Sequence, residues 1–372
     1  MKKEYLSNRE AVCSITLFAL GTSVVLGGYT TIGQDSWIAM VSAMVLVAPV
    51  CLLYGRIMQL FPEEDIFQII IHLFGKFFGK CIAALFTWYC IHLSALVFRN
   101  FSEFISIVSM PTTPQIAFMI LMMLASIYAI KSPIRTIGRA SLILLPIVVS
   151  IMVITFLMLL KQVQFSNFLP IMDHSAKEIL SGSYSILTFP LAESVIFLSM
   201  ADSIKKTQNP IKIYFLGLGL AAILLLFVIV RNTLALGAEV QKHSYFPSYV
   251  AARIINVADF IGRVEGSISV NFILTGLSKI TICLIGASKG LACLFNIEDF
   301  KKMSLPAGLL SISLSSILYI NVMDMFGFIK YYPYYAIPFE FMIPVLIWIV
   351  GEISVRIKNS GKSTPLPENS SS

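Results

Sequence analysis

The chain has 372 residues, 57% of them hydrophobic and 13% charged, with a mean hydropathy of +0.84. An ordinary soluble domain is about a quarter charged, so this composition excludes a water-soluble globular enzyme and makes the lipid bilayer the main solvent. The net charge of +7 follows from membrane topology, as shown below, and does not point to nucleic acid.

A helix needs about 20 mostly apolar residues to cross the hydrocarbon. The first such run, 10–28, follows Lys2, Lys3 and Arg9. It has no small-residue cleavage site ahead of a polar domain, so it reads as a retained helix. Further runs lie at 36–58, 81–103, 114–131, 140–160, 179–200, 211–236, 267–293, 304–323 and 334–356, which predicts ten spans. They are long, continuous and rich in Leu, Ile and Met, unlike the ten-residue alternation of a β-barrel. Residues 64–79 are apolar but short and charged at both ends, the pattern of a cytoplasmic interfacial helix. Residues 238–265 read as a helical hairpin capping the outer side. Residues 1–357 thus form one transmembrane domain. Residues 358–372, rich in Ser, Pro and Gly, form a disordered cytoplasmic tail.

Ten spans place both termini on one side. Of the 27 Lys and Arg residues, 18 fall on that side, three in each of six segments, while the loops 29–35 and 104–113 have none. By the positive-inside rule the N- and C-termini are cytoplasmic. Arg231 is counted with the outer loops, and Arg99 and Lys279 lie within spans.

Two spans are interrupted near the midplane. The first carries Gly21-Thr22-Ser23, and the sixth carries Phe189-Pro190-Leu191 with Glu193 one turn on. Proline removes a backbone donor and clashes with the carbonyl four residues earlier. Unpaired backbone in a membrane is tolerated only where it is buried in protein or lines a cavity. Spans one and six are corresponding members of two five-helix halves. Five is odd, so the halves are inverted, and matched interruptions point to a midplane small-molecule site. The competing reading is a packing glycine and a simple proline kink.

The eighth span places Asn271, Thr275, Lys279, Cys283 and Gly286 on one face. Lys279 at its centre replaces a coupling cation, pairs with Glu193 or snorkels to the surface; Glu193 holds a ligand ammonium, moves a proton or braces its helix. Asn271, Thr275 and His92 are weaker candidates for an ion or proton site. His92 reads best as a satisfied buried histidine, Trp88 and Tyr89 as packing residues, and Arg99 with Glu103 as a local ion pair near the outer surface. The six cysteines and four histidines have no zinc spacing and the cysteines read as small buried hydrophobes. No metal or cofactor is expected. No phosphate loop, dinucleotide fingerprint or placed nucleophile and base is present, so no catalytic residue is assigned and the chain is not read as an enzyme.

The length, the ten spans and four stretches resemble the B subunit of nutrient germinant receptors of endospore-forming bacteria. The stretches are ALGTSVVLG, FPEEDIFQIIIHLFGKFFGK, NFLPIMDHSAKEILSGSYSILTFPLAESVIFL and LGAEVQKHSYFPSYVAARIINVADFIGRVEG. These spore germination proteins belong to the amino acid/polyamine/organocation transporter superfamily. The first span departs from the family, with Leu20 before Gly21 and no proline after Gly27-Gly28-Tyr29.

The resemblance implies an all-α fold of five plus five inverted helices, the LeuT-like repeat. It implies a nutrient such as an amino acid held by Gly21, Thr22, Ser23, Phe189, Pro190 and Leu191, with free amides of the first span facing its carboxylate and carbonyls near Pro190 facing its ammonium. It also implies a sensor in the spore inner membrane, complexed with an A subunit and a lipoprotein C subunit. A proton-coupled amino acid transporter in a bacterial cell membrane uses the same fold and remains the alternative, with a germination channel as a third reading.

Overall fold

The computed structural model describes residues 4–26, 32–255 and 264–360, which are almost entirely helical. Helix α1 (Asn8–Leu20) begins on a capping box, with the Glu10 amide donating to the Ser7 hydroxyl and the Ser7 amide to the Glu10 carboxylate. Two otherwise orphaned amides are satisfied in this way. The helix stops at Gly21 (φ +30°) and resumes as the single turn α2 (Ser23–Leu26). Helix α3 spans Ser36–Leu60, and α4 spans Ile66–Val108 from a second capping box on Asp65 and Gln68. The predicted interfacial helix is the start of α4, set off by a break at Gly75 (φ +71°) rather than by a loop.

Helices α5 (Gln115–Lys131) and α6 (Ile134–Leu159) follow. The sixth span opens as α7 (Ala176–Ile186), widens into a π-turn over Leu187–Leu191 and tightens into a 3₁₀ run over Ala192–Ser203. Then come α8 (Pro210–Lys242), α9 (Pro247–Arg253), α10 (Glu265–Phe295), α11 (Ser304–Leu318), α12 (Val322–Ile329), α13 (Tyr332–Ile337) and α14 (Ile343–Ser360). Among the described residues, seven helices are long and apolar enough to cross a membrane. The first, fourth and ninth expected spans coincide with the broken α1–α2, the 17-residue α5 and α11. The ninth is not the straight 304–323 span expected, because the chain bends by 101° between α11 and α12. Part of the expected outer hairpin, 256–263, and most of the tail, 361–372, lie outside the described residues.

Small residues let these helices approach closely, as membrane packing requires. A methyl group at Gly286 of α10 would come within 2.8 Å of the Cys90 sulfur on α4. At Gly55 of α3 it would come within 2.6 Å of the Ile211 Cα on α8. The faces of the bundle are pinned by polar contacts. On one, the Leu6 amide donates to the Ser203 carbonyl (2.9 Å), and Tyr5 donates to Glu63 (3.1 Å). On the other, buried Asp35 accepts from the amides of Met172 (2.9 Å) and His174 (3.2 Å) and faces His174 Nδ1 at 2.9 Å.

Arg231 stands inside α8, beside the outer α9 segment. It is fully buried in α8, where its Nε and Nη2 donate to Asn232, which in turn reaches Ser248 at 3.1 Å. Arg99 and Glu103 pair at 2.7 Å near the end of α4, and both are buried.

Overpacking a tight interface costs about 1–3 kcal/mol. Gly55→Val is therefore expected to lower the thermal unfolding midpoint of the purified protein clearly. Gly219→Ala should leave it nearly unchanged, because nothing lies within 4 Å of that position.

Candidate functional site

The two interrupted spans meet at the side chain of Lys279. Its alkyl stem lies across the break in the first span, where a methyl group on Gly21 would strike Lys279 Cδ and come within 2.8 Å of the Phe18 carbonyl. A residue with a β-carbon is excluded here by the lysine as well as by the positive φ. The Gly21 carbonyl accepts a hydrogen bond from Thr275, one turn before Lys279, at 2.7 Å. The Lys279 ammonium pairs with Oε2 of Glu193, and both side chains are fully buried. It also sits 5.3 Å from the ring centre of Phe18 and 5.2 Å from that of Phe189. Phe189 reaches this place because its backbone (φ −119°, ψ 108°) leaves the helix just before Pro190.

Glu193 has a second partner, the hydroxyl of Tyr332, which donates to Oε1 at 2.7 Å. Tyr332 lies 3.0 Å from the hydroxyl of Tyr89. Tyr89 lies 2.8 Å from Oε1 of Glu340, whose Oε2 is buried without a hydrogen-bond partner. Sequence reasoning missed Tyr332 and Glu340 and assigned Tyr89 to packing. The available signal was a lone carboxyl between two prolines, Pro338 and Pro344, inside the last apolar run.

Two carbonyls of the 3₁₀ run after Pro190 already accept side-chain hydrogen bonds. Tyr54 donates toward Ala192 O (3.1 Å) and Glu340 O (2.7 Å), and Tyr214 toward Ser194 O (3.3 Å). The hydroxyls of Thr22 and Ser23, by contrast, are buried with no partner among the described residues. Thr22, Phe189, Asn100 and Tyr332 line a cavity of about 30 Å³, room for about two waters.

Two candidates fall outside this cluster. Asn271 donates to the Val148 carbonyl (3.3 Å) on α6 and stands about 12 Å along α10 from Lys279 at the helical rise. His92 is buried and stacked on Trp88, with Nδ1 unpartnered rather than satisfied. Trp88 itself is exposed on the outside of the bundle.

A second buried lysine was assigned from sequence only to the positive side. Lys289, near the end of α10, contacts Asp202 (2.6 Å) and Asp65 (3.4 Å). It ties the end of the sixth span, α10 and the start of α4 together. These three residues form one wall of a cavity of about 1150 Å³ that Lys76, Lys80 and Glu298 also line.

A family model described as "Spore germination protein" matches residues 5–325. Spore germination protein KB of Bacillus subtilis (strain 168) is 22% identical over 356 residues, covering 94% of this chain and 95% of the relative. Among solved structures, MhsT in complex with L-phenylalanine superposes with a TM-score of 0.69 at 13% identity, covering 94% of this chain and 99% of that one. A substrate-bound Na⁺-coupled sialic acid symporter gives 0.65 at 13% identity, covering 94% and 88%. The fold is therefore that of these membrane transporters, with the interrupted first and sixth helices side by side.

Removing one partner of a buried ion pair costs about 3–5 kcal/mol because a bare charge remains. Lys279→Met and Glu193→Gln should each destabilise the purified protein strongly. The double variant should recover a large part of the loss in thermal unfolding, which a double-mutant cycle measures.

Proposed function

This chain belongs to the spore germination protein family, and we propose that it is the membrane subunit of a nutrient germinant receptor. In this reading it senses a small nutrient such as an amino acid between the first and sixth spans and so triggers germination. The observation that carries the reading is the convergence of two broken helices on one buried ion pair, beside two hydroxyls with no partner among the described residues. Thr22 and Ser23 are placed to meet a ligand carboxylate. Glu193 is the group for its ammonium, in competition with Lys279. Gly21 leaves the space, and Phe189, Pro190 and Leu191 shape the wall. A related fold holding L-phenylalanine in MhsT supports an amino acid as the ligand class.

The present cavity is too small for such a ligand, so binding requires a second arrangement of the broken helices. A ligand shifts the balance only through its differential affinity for the two arrangements. A tenfold preference is worth about 1.4 kcal/mol. Partner A and lipoprotein C subunits would read out the change, with the termini of this chain on the cytoplasmic side of the spore inner membrane. A proton-coupled amino acid transporter is the second reading. It is favoured by the transporter fold together with Lys279, whose fixed charge takes the place of a coupling cation.

The double variant Thr22→Val with Ser23→Ala, which removes the two hydroxyls and keeps the side-chain volumes close, tests the site. Spores that carry it in place of the wild-type chain should lose the nutrient response, read as loss of refractility, while the protein still accumulates in the membrane at the normal level. An unchanged response at normal protein level would rule the site out.

A further inference from the structure

The row of oxygens that ends at Glu340 contains more contacts than its tyrosines can supply with hydrogens. Glu340 Oε1 lies 2.8 Å from Tyr89 Oη, which lies 3.0 Å from Tyr332 Oη, which lies 2.7 Å from Glu193 Oε1. Three contacts need three hydrogens. Each tyrosine carries one O–H, and an ionised carboxylate carries none. Glu193 is the ionised end, because its other oxygen is the partner of the Lys279 ammonium. The third hydrogen therefore belongs to Glu340. We infer that Glu340 is a proton-binding site, held as the neutral acid, whose O–H donates to Tyr89, which donates to Tyr332, which donates to the Glu193 carboxylate.

The charge count leads to the same assignment independently. The groups facing the cluster are Tyr54 from α3, Tyr89 from α4, Tyr184 and Glu193 from the sixth span, Lys279 from α10 and Tyr332 from α13. His92, the next titratable side chain, packs on Tyr335 at 4.9 Å. Among the described residues Lys279 is the one cation in this set, and it is committed to Glu193. A second carboxylate in the same buried space would have no counter-ion among the described residues. Its Oε2 would be a buried anionic oxygen with no donor. As the carbonyl oxygen of a neutral acid, the same atom is far cheaper to leave unpaired.

The row is also directional. If the Lys279 ammonium leaves Glu193, each hydrogen can step one place along. The O–H bond of Glu340 breaks, Tyr89 and Tyr332 each receive one hydrogen and pass one on, and an O–H bond forms on Glu193. One proton has then moved from Glu340 to Glu193, with no atom gained or lost. The negative charge has then passed to Glu340, which in its turn needs a counter-ion or donor at its second oxygen. This property goes beyond the sensor reading and holds equally for a transporter.

Infrared spectroscopy of the full-length protein in lipid nanodiscs at neutral pH tests the assignment directly. A protonated carboxylic acid has a carbonyl stretch apart from the amide and carboxylate bands. The difference between wild type and Glu340→Gln should contain one such band. Tyr89→Phe should keep that band and shift it to higher frequency, because the acid loses its acceptor. A folded Glu340→Gln protein that loses no such band would overturn the inference. Should Glu340→Gln fail to fold, Tyr89→Phe decides, and no shifted carboxylic-acid band in that variant would overturn it as well.

Discussion

A lysine and a glutamate, paired and fully buried within an apolar bundle, set the terms for the rest of this structure. Neither Lys279 nor Glu193 could remain charged alone at that depth. The pair dictates the backbone around it. The lysine stem needs a neighbour without a β-carbon, which Gly21 provides by breaking the first span. The ammonium needs aromatic faces on its flanks, which Phe18 provides directly and Phe189 provides only because the chain unwinds before Pro190. The interruptions in the two spans are thus two halves of one arrangement.

The pair also connects the site to both ends of the bundle. Toward the face that carries the N-terminus, Lys289 joins the ends of the sixth span and α10 to the residue that caps α4. Any shift of the sixth span against α10 has to act on that lysine. Toward the other face, Tyr332 closes over Glu193 and lines the small cavity beside Thr22. Among the described residues the site is thus buried, with two unused hydroxyls. Opening it exchanges contacts inside the protein for contacts with a ligand, which is how a small molecule biases a two-state element.

Much of this was legible in the sequence, and the rest was hidden for physical reasons. Long apolar runs announce helices because the bilayer allows little else. Gly21 and Pro190 stand out because a membrane helix is interrupted at a cost, and Lys279 and Glu193 because isolated charges in such runs are rare. The partners of that pair were not legible. Tyr89 and Tyr332 are far apart in the chain and look like ordinary amphipathic aromatics until tertiary contacts bring them to Glu193 and Glu340. Lys289 and Arg231 were placed by loop statistics at positions that the fold buries. His92 shows the opposite error, since its central place suggested satisfied hydrogen bonding while its ring is held by stacking. The bend after Leu318 carries no proline or glycine to announce it.

The most direct test of the account is ligand binding at the broken helices. Purified protein in sealed proteoliposomes, with an imposed pH gradient and a panel of labelled amino acids, reports binding and accumulation together. The account predicts saturable binding of at least one amino acid that Thr22→Val with Ser23→Ala abolishes; binding without accumulation marks a receptor, and gradient-driven accumulation marks a transporter. Saturable binding that Thr22→Val with Ser23→Ala leaves intact, or no binding by any member of the panel, would contradict a nutrient site between the first and sixth spans.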